Sequence, residues 1–213
     1  MKEIEQLRYD YTSAPMDLLH MSGDAIEQFK NWLQEALDME IPDPHAMVLS
    51  TVDMLGQPSA RVVLLRGLNA EGLTFYTNYT SRKAIEISSN PQGSLLFYWP
   101  QVFRQVRVEG ILEQVDPSIS DAYFAQRPRG SQIGAWASPQ SATIPHRNAL
   151  EDNMARYEKK FEANGRVPRP SFWGGYILKP KSIEFWQGRE SRLHDRVQYQ
   201  WVDGIWKRER LAP

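Results

Sequence analysis

Residues 104–115 read RQVRVEGILEQV, and small or apolar residues alternate with polar ones at Val106, Val108 and Gly110. Such alternation predicts a strand with one face in a core and the other in solvent. The preceding stretch GSLLFYW, residues 93–99, predicts a second strand. We therefore expect an antiparallel sheet that extends outward from this pair.

The chain before this pair predicts two helices and three further strands. Ser22 or Asp24 can cap a helix that runs to about Asp38, since apolar residues recur there at helical spacing. A short helix is expected in SRKAIEISSN, residues 81–90. The predicted strands are AMVLSTVD (46–53), SARVVLLR (59–66) and LTFYTN (73–78).

The chain after this pair predicts two more helices and a return to strands. Pro117 can open a helix through Ala125 that ends before Pro128, and another helix spans about Arg147 to Glu162. Strands are predicted in FWGGYILKP (172–180), KSIEFWQG (181–188), RLHDRVQYQW (192–201) and GIWKRERL (204–211). Helices and strands do not alternate, which favours an α+β fold, a mainly antiparallel barrel with peripheral helices.

Composition narrows the classes of function. The 213 residues include 25 basic and 26 acidic ones, so no global positive field attracts nucleic acid. Cysteine is absent, which excludes disulfides, thiolate metal sites and a thiol nucleophile. The four histidines have no metal-motif spacing, and no apolar run approaches the roughly 20 residues of a membrane span. We expect a metal-free cytoplasmic protein, of one domain rather than two because no linker divides it.

Two local patterns could bind an anion. Arg82 and Lys83 lie in the first turn of a predicted helix that Ser81 would cap, where the helix macrodipole disfavours cations unless an anion is bound. Tyr123 and Arg127 are spaced i, i+4, so a hydroxyl and a guanidinium can converge, and Ser131 follows closely. The alternatives are two solvated cations in the first case, and a core tyrosine with a surface arginine in the second.

Two further patterns depend on strand geometry. RLHDR, residues 192–196, would on a strand place Arg192, His194 and Arg196 on one face. This row suits a ligand with several acceptor oxygens, but a solvent-facing hairpin would show the same row. RVVLLR begins and ends with Arg61 and Arg66, which a regular strand places on opposite faces, so a shared site requires a bulge or a strand end.

Together these segments resemble the pyridoxamine 5′-phosphate oxidase family. The resemblance runs from about Leu7 to the terminal RLAP and is carried in order by FYTNYTSRKA (75–84), RPRGSQIGAWASPQS (127–141), PSFWGGY (170–176) and IEFWQGRESRLHDR (183–196). It implies a homodimer of split β-barrels that holds FMN at the subunit interface. Residues 1–23 would form a flexible N-terminal lid segment, and residues 24–213 a single FMN-binding domain.

The resemblance also assigns site residues. Arg82 and Lys83 would hold the FMN phosphate, within a set of FMN contacts that comprises Arg61, Val62, Val63, Leu64, Leu65, Arg66, Tyr76, Thr77, Arg82, Lys83, Gln105, Gln140, Ser141, Trp186 and Arg196. The substrate phosphate would contact Arg66, Tyr123, Arg127 and Ser131. Arg192 and His194 would lie over the substrate ring as the catalytic residues, and Arg8 and Tyr11 would belong to the lid. Arg66 stands where the family usually has lysine, and a planar fork differs from a point charge in reach.

The activity implied by the resemblance is the oxidation of pyridoxamine or pyridoxine 5′-phosphate to pyridoxal 5′-phosphate, in vitamin B6 biosynthesis and salvage. O2 would be the electron acceptor and H2O2 a product, with ammonia released from the amine substrate. A flavin reductase of the same fold is one alternative, but it has no reason to combine Tyr123, Arg127 and Ser131 with Arg192 and His194. A non-catalytic carrier of FMN or pyridoxal phosphate is the other.

Overall fold

The computed structural model describes residues 10–162 and 165–213. Within these residues, one nine-stranded sheet is surrounded by five helices. The helices are α1 (Ala25–Asp38), α2 (Arg82–Ser89), α3 (Pro117–Gln126), α4 (Arg129–Ala137) and α5 (Asn148–Phe161). The strands are β1 (Ala46–Val52), β2 (Pro58–Leu64), β3 (Gly67–Asn69), β4 (Gly72–Asn78), β5 (Gln92–Trp99), β6 (Arg104–Gln114), β7 (Trp173–Gln187), β8 (Asp195–Val202) and β9 (Ile205–Leu211).

The sheet is antiparallel and curls on itself. Its order is β2-β1-β5-β6-β7-β4-β3, and β8 pairs with both β7 and β9. The end of β2 meets β4 because the backbone N–H of Arg66 donates to the carbonyl oxygen of Thr74 at 2.8 Å. Strand β7 pairs with β4 along its first half and with β8 along its second half. The predicted α+β class with a mainly antiparallel sheet is confirmed.

The alternation predicted for β6 is present in the structure. Val106, Val108 and Leu112 are buried, whereas Glu109 is exposed. The register of β6 with β7 shifts between Glu109 and Gly110. A Cβ atom on Gly110 would lie 2.0 Å from the carbonyl oxygen of Lys179, so only glycine allows β7 to cross so closely at this bulge.

Two apolar clusters hold the elements together. In the main one, α1 covers the sheet, and Phe29 packs on Phe97 with ring centroids 4.8 Å apart. The side chain of Asp24 caps α1 by accepting from Glu27 N at 2.9 Å, so Asp24 is the N-cap of the two residues considered. The second cluster joins α3, α4 and α5 to the start of β7 through Phe124, Ile133, Phe161 and Trp173. This second cluster supports one wall of the cavity described below.

One predicted boundary is wrong, and one helix was not predicted. The two strands expected in 172–188 are one strand, β7, because the bulge opposite Gly110 accommodates Pro180, which cannot donate a ladder hydrogen bond. The predicted end of α3 before Pro128 is confirmed, but α4, which begins at Arg129, was not predicted. Pro128 ends α3 and stands at the N-cap of α4, where its missing N–H has no helical partner to lose.

The expected strand over 192–194 is also wrong. Residues Glu190–Arg192 form a single 3₁₀ turn, and β8 begins only at Asp195. Ser191 and Arg192 have φ angles of 55° and 64°, which no strand contains. Arg192, His194 and Arg196 therefore do not form a row on one strand face.

Residues 10–22 lie against the C-terminal hairpin. Asp195 accepts from Met16 N at 3.1 Å, and Arg210 donates to Met16 O at 2.7 Å. Arg208 donates to Met21 O at 2.7 Å. Both methionines are buried. The flexible lid expected for 1–23 stays a prediction, and Arg8 lies outside the described residues. None of the described helices is long and apolar enough to cross a membrane.

Candidate functional site

A cavity of about 810 Å³ lies between the end of β2, strand β4, the start of α2 and the junction of α3 with α4. Its polar lining is mostly cationic, hydroxyl or amide, and the structure describes no cluster of histidine and carboxylate side chains suited to a metal in residues 10–162 and 165–213. Predicted site residues that line this cavity are Arg61, Val62, Val63, Leu64, Arg66, Tyr76, Thr77, Lys83, Tyr123, Arg127, Ser131, Gln140 and Ser141.

A strand end brings Arg61 and Arg66 to the same cavity. Strand β2 stops at Leu64, and the backbone N–H of Leu65 then donates to His45 O at 2.9 Å. This bond still continues the register with β1, but the N–H of Arg66 donates to Thr74 O on β4 at 2.8 Å. The chain thus passes from β1 to β4 at the strand end, and both arginines line the cavity. Of the two geometries considered for RVVLLR, the strand end is the one observed. Leu65 itself is buried in the core and does not line this cavity.

One end of the cavity holds Lys83. Its side chain is buried, and its Nζ lies 3.2 Å from Thr77 Oγ1. Burial lowers the pKa of Lys83, and the neighbouring Arg61 lowers it further, while Glu86 opposes both. The ammonium of Lys83 is buried, bonds to hydroxyl groups and lies next to a second cation. An anion bound in the cavity would therefore stabilise it.

The other end of the cavity holds Arg127 and an aromatic stack. Tyr76 and Tyr123 stack at 3.8 Å, and Trp173 lies 5.4 Å from Tyr76. The guanidinium of Arg127 stands 4.6 Å over the Trp173 ring, which gives a cation–π contact. Tyr123 and Arg127 line the same cavity. The alternative of a core tyrosine with a surface arginine therefore does not apply.

Arg127 carries a buried polar atom that lacks a partner. Its Nη1 is fully buried and makes no hydrogen bond with the part of the chain that the structure describes. Burial lowers the pKa of Arg127; Tyr123 opposes this shift, and Arg66 adds to it. An unpaired buried guanidinium N–H costs free energy, so this end of the cavity favours a bound anion.

Gln140 ties the loop after α4 to β4. Its Oε1 accepts from Thr77 Oγ1 at 2.9 Å and from Asn78 N at 3.2 Å. The next residue, Ser141, has a φ of 71°, a left-handed conformation that is uncommon for residues other than glycine. This conformation turns the loop so that both residues line the cavity.

Arg82 and Lys83 separate instead of converging. Ser81 occupies the N-cap of α2, but its side chain makes no capping hydrogen bond. Arg82 Nε donates to Glu86 Oε1 at 2.8 Å, and Arg82 lines a neighbouring cavity of about 680 Å³ that shares Gln140 and Ser141 with the first. Only Lys83 of the two cations lines the 810 Å³ cavity.

The remaining predicted residues form a second group on β6, β7 and β8. Gln105 pairs in register with Trp186, and Trp186 pairs with Arg196. Arg196 donates from Nε and Nη2 to Glu184 at 2.9 and 3.1 Å. The ring of His194 lies 4.6 Å from that of Trp186. None of these residues lines the 810 Å³ cavity.

Tyr11 joins this second group. Its ring makes edge contacts with His194 at 5.3 Å and with Trp186 at 5.8 Å, and the Arg192 guanidinium lies 5.9 Å from it. A Cβ atom on Gly188 would approach the Tyr11 ring to 2.6 Å, so glycine is needed for this packing. The structure thus brings Tyr11, Arg192 and His194 together, although 192–194 is not a strand.

One ring nitrogen of His194, Nδ1, accepts a hydrogen bond from the backbone. The backbone N–H of Arg189 donates to Nδ1 of His194 at 3.1 Å, so the neutral ring carries its proton on Nε2. Burial lowers the pKa of His194, and the charge of Arg192 lowers it further. The group therefore offers a neutral N–H donor near pH 7.

The two groups lie at opposite ends of β7. Thr77 pairs with Gly174, whereas Arg196 pairs with Trp186, twelve residues further along the same strand. At about 3.3 Å per residue, this is on the order of 40 Å of extended chain. The chain therefore carries its predicted site residues in two separate groups.

Three residues that line the 810 Å³ cavity were not predicted, Gln126, Pro128 and Trp173, and neither was Glu86, which lines the neighbouring cavity. Trp173 completes the aromatic stack beside Tyr76, and the only signal for it was its place in PSFWGGY. Glu86 holds both Arg61 and Arg82, and nothing in the sequence linked it to residues on β2. Its role depends on contacts between residues 25 positions apart.

A profile of the pyridoxamine 5′-phosphate oxidase family matches residues 33–161, and a profile of the pyridoxine 5′-phosphate oxidase C-terminal dimerisation region matches residues 173–213. The pyridoxine/pyridoxamine 5′-phosphate oxidase of Synechocystis is 50% identical over 99% of this chain and 98% of its own length. That of Cupriavidus pinatubonensis is 50% identical over the full length of both chains.

Two solved structures with similar folds support the same fold assignment. PhzG from Burkholderia lata, in complex with tetrahydrophenazine-1-carboxylic acid, has a TM-score of 0.88 and 28% identity over 94% of this chain and 99% of its own. A pyridoxamine 5′-phosphate oxidase-related, FMN-binding protein from Nostoc punctiforme has a TM-score of 0.70 and 20% identity over 91% of this chain and all of its own. The predicted split-barrel fold is confirmed.

Proposed function

This chain belongs to the pyridoxamine 5′-phosphate oxidase family, and we propose that it oxidises pyridoxamine and pyridoxine 5′-phosphates to pyridoxal 5′-phosphate. In this proposal FMN is the cofactor, O2 accepts the electrons, H2O2 is formed, and ammonia leaves the amine substrate. One observation carries the proposal. A buried, unpaired guanidinium nitrogen of Arg127 stands beside Arg66 in a large cavity.

The end of the cavity at Arg127 fits the phosphate of the substrate. Arg66 and Arg127 supply two guanidinium groups, and Tyr123 and Ser131 add hydroxyl groups to the same wall. A phosphate offers several acceptor oxygens, which would satisfy the buried N–H and offset the repulsion between the two cations. Arg66 in place of the usual lysine presents a fork that can make two parallel bonds.

The other end of the cavity fits the phosphate of FMN. Lys83 is buried beside Arg61, and Thr77 places a hydroxyl group next to the ammonium. The backbone segment 61–66, Tyr76, Gln140 and Ser141 continue the lining. We assign Arg82 to the outer side of this end, because it lines the adjoining cavity. FMN, when bound, supplies the two-electron acceptor for the oxidation.

Arg192 and His194 bind and orient the substrate ring in this proposal. His194 presents Nε2–H, because Nδ1 is occupied by the Arg189 amide. Burial lowers the pKa of His194, and the positive charge of Arg192 beside it lowers this pKa further, so the imidazole is neutral. Neither residue is assigned as an obligatory base, since a neutral donor and a guanidinium act here by position and charge.

Two chains complete each site in this proposal. Gln105, Trp186 and Arg196, the remaining FMN contacts, lie at the other end of β7 from Thr77. The segment that carries Trp186 and Arg196 lies within the matched C-terminal dimerisation region. A homodimer with FMN at the interface would therefore unite the two groups. We also propose that residues 1–23 act as a lid on a single domain of residues 24–213, and that the enzyme is cytoplasmic.

An absorption spectrum tests the proposal directly. The purified protein is expected to show a flavin band that bleaches when pyridoxamine 5′-phosphate is added without oxygen. In air, the same addition should release H2O2 and form pyridoxal 5′-phosphate. A flavin band that stays unchanged would favour a carrier. Bleaching by a reduced nicotinamide but not by the phosphorylated amine would favour a flavin reductase.

A further inference from the structure

Glu86 is a buried carboxylate on α2 that accepts four hydrogen bonds. Its side chain is 4% exposed. Oε2 accepts from Thr51 Oγ1 at 2.5 Å, from Ser59 Oγ at 2.6 Å and from Arg61 Nη2 at 3.1 Å. Oε1 accepts from Arg82 Nε at 2.8 Å. Burial raises the pKa of Glu86, but the bonds from Ser59, Thr51, Arg82 and Arg61 outweigh it and lower the pKa to about 2.

The same network holds the Arg61 guanidinium in one place. Nη1 donates to Thr51 Oγ1 and to Leu49 O, and Nη2 donates to Ser59 Oγ and to Glu86. Thr51 and Ser59 each accept from Arg61 and donate to Glu86, so the two hydroxyl groups bridge the ion pair. Because both Nη1 and Nη2 are hydrogen-bonded, the Arg61 side chain is restricted to one rotamer before a ligand binds.

Glu86 also sets the charge at this end of the cavity. Arg61, Arg82 and Lys83 are three cations around one carboxylate, which leaves a net charge of two positive. A phosphate monoester carries about −1.5 to −2 near pH 7. The net charge of the cluster therefore matches that of one phosphate. Arg82 lines the 680 Å³ cavity, and Lys83 lines the 810 Å³ cavity.

We propose that Glu86 is a positioning residue for the cofactor phosphate, which fixes Arg61 at the cavity and separates Arg82 from Lys83. The proposal rests on the FMN binding proposed above. It extends that binding site to a residue that lines the 680 Å³ cavity but not the 810 Å³ cavity. Glu86 does not contact the phosphate. It acts on phosphate binding through Arg61, and its bond to Arg82 keeps that side chain at the 680 Å³ cavity.

Glu86→Gln separates positioning from simple electrostatics. Removal of a negative charge would by Coulomb's law strengthen the binding of an anion, whereas loss of positioning weakens it. We expect the dissociation constant of FMN, measured by titrating the apoprotein and following flavin fluorescence, to rise about tenfold, as for outer-shell partners of metal ligands. A lower melting temperature with an unchanged or smaller dissociation constant would assign Glu86 a structural role and overturn the proposal.

A double-mutant cycle tests whether Glu86 acts through Arg61. In an Arg61→Met background, Glu86→Gln should change the FMN dissociation constant by less than about twofold. Additive effects of the two substitutions would contradict the proposal. Glu113→Gln is the matched control, because Glu113 forms its ion pair with Lys179 away from both cavities, and FMN affinity should not change.

A milder variant covers the case in which Glu86→Gln does not fold. Ser59→Ala removes one bridging hydroxyl and leaves every charge in place. It should weaken FMN binding by about threefold, and unchanged binding would count against positioning. If the unsubstituted apoprotein binds no FMN, the proposed function fails. The inference is then judged by inorganic phosphate, which should raise the melting temperature of the natural chain more than that of Glu86→Gln, and equal or absent shifts would overturn it.

Discussion

Arg127 has a buried guanidinium nitrogen, Nη1, without a hydrogen-bond partner among residues 10–162 and 165–213. A buried cation without a full set of partners is destabilising, so Arg127→Met, which keeps the apolar stem over Trp173, should leave the free energy of unfolding unchanged or raise it. The KM for pyridoxamine 5′-phosphate should rise by at least about tenfold, since a hydrogen bond to a charged group contributes about 1.5–3 kcal/mol. Denaturant unfolding and steady-state kinetics measure the two effects.

The control for this prediction is Arg156→Met. Arg156 also stacks on an aromatic ring, that of Tyr157 on α5, but it does not line the cavity. Its substitution should not change KM. A normal KM for Arg127→Met would remove the substrate phosphate from this end of the cavity.

Arg192→Met tests the second group of residues. The structure places Arg192 in a left-handed turn beside Tyr11 and His194, where its guanidinium faces the group that the proposal gives to the substrate ring. Loss of a charged hydrogen bond in the transition state corresponds to roughly 10- to 150-fold in kcat/KM. Flavin content should stay normal. Lys207→Met, at an exposed position on β9, is the control and should stay within about twofold. Near-normal turnover of a flavin-loaded Arg192→Met enzyme would contradict this assignment.

Helix α2 presents its two N-terminal cations to different cavities. Lys83→Met should therefore weaken FMN binding more than Arg82→Met, because only Lys83 is buried and lines the 810 Å³ cavity. The double charge reversal Arg82→Glu with Lys83→Glu should abolish FMN retention and leave the fold intact, since carboxylates suit a helix start but repel phosphate. The flavin absorbance of the purified variants measures retention. A double variant that purifies fully yellow would refute the phosphate assignment.

In the proposed function, a second copy of the chain would unite the two groups of site residues. The FMN-loaded protein should therefore sediment as a dimer, because the groups at opposite ends of β7 can share one ligand only across an interface. Sedimentation velocity, with absorbance recorded in the flavin band, measures the mass of the species that carries FMN. A flavin-replete monomer would contradict this prediction.

Local pattern predicted most elements, and long-range contacts account for the misses. The alternation in β6 and the spacing in α1 depend on residues close in sequence, so their burial was predictable. Strand β7 was divided in the prediction because Pro180 normally interrupts a strand, and only the bulge opposite Gly110 makes it acceptable. Helix α4 was missed because Pro128 can both end one helix and begin the next.

Most residues that line the cavity were named from the sequence, but their arrangement was not. The cations and hydroxyl groups could be selected because their chemistry suits phosphate, and the family resemblance ordered them. Their division into two groups at opposite ends of β7 follows from the sheet topology, which no local pattern encodes. The buried Glu86 could not be selected, since an isolated glutamate in a helix normally lies in solvent.

The sequence by itself determined the fold class and the absence of cysteine chemistry, because composition and short-range periodicity are properties of neighbouring residues. Its ordered motifs carried the resemblance to the family that the profile match shows. Tertiary structure alone decided which cations share a cavity, where a guanidinium is buried without a partner, and how Glu86 joins Arg61 to α2. These features depend on burial or on contacts between residues distant in the chain, such as Arg61 and Glu86, which are 25 positions apart. Both arise only when the sheet curls around the cavity.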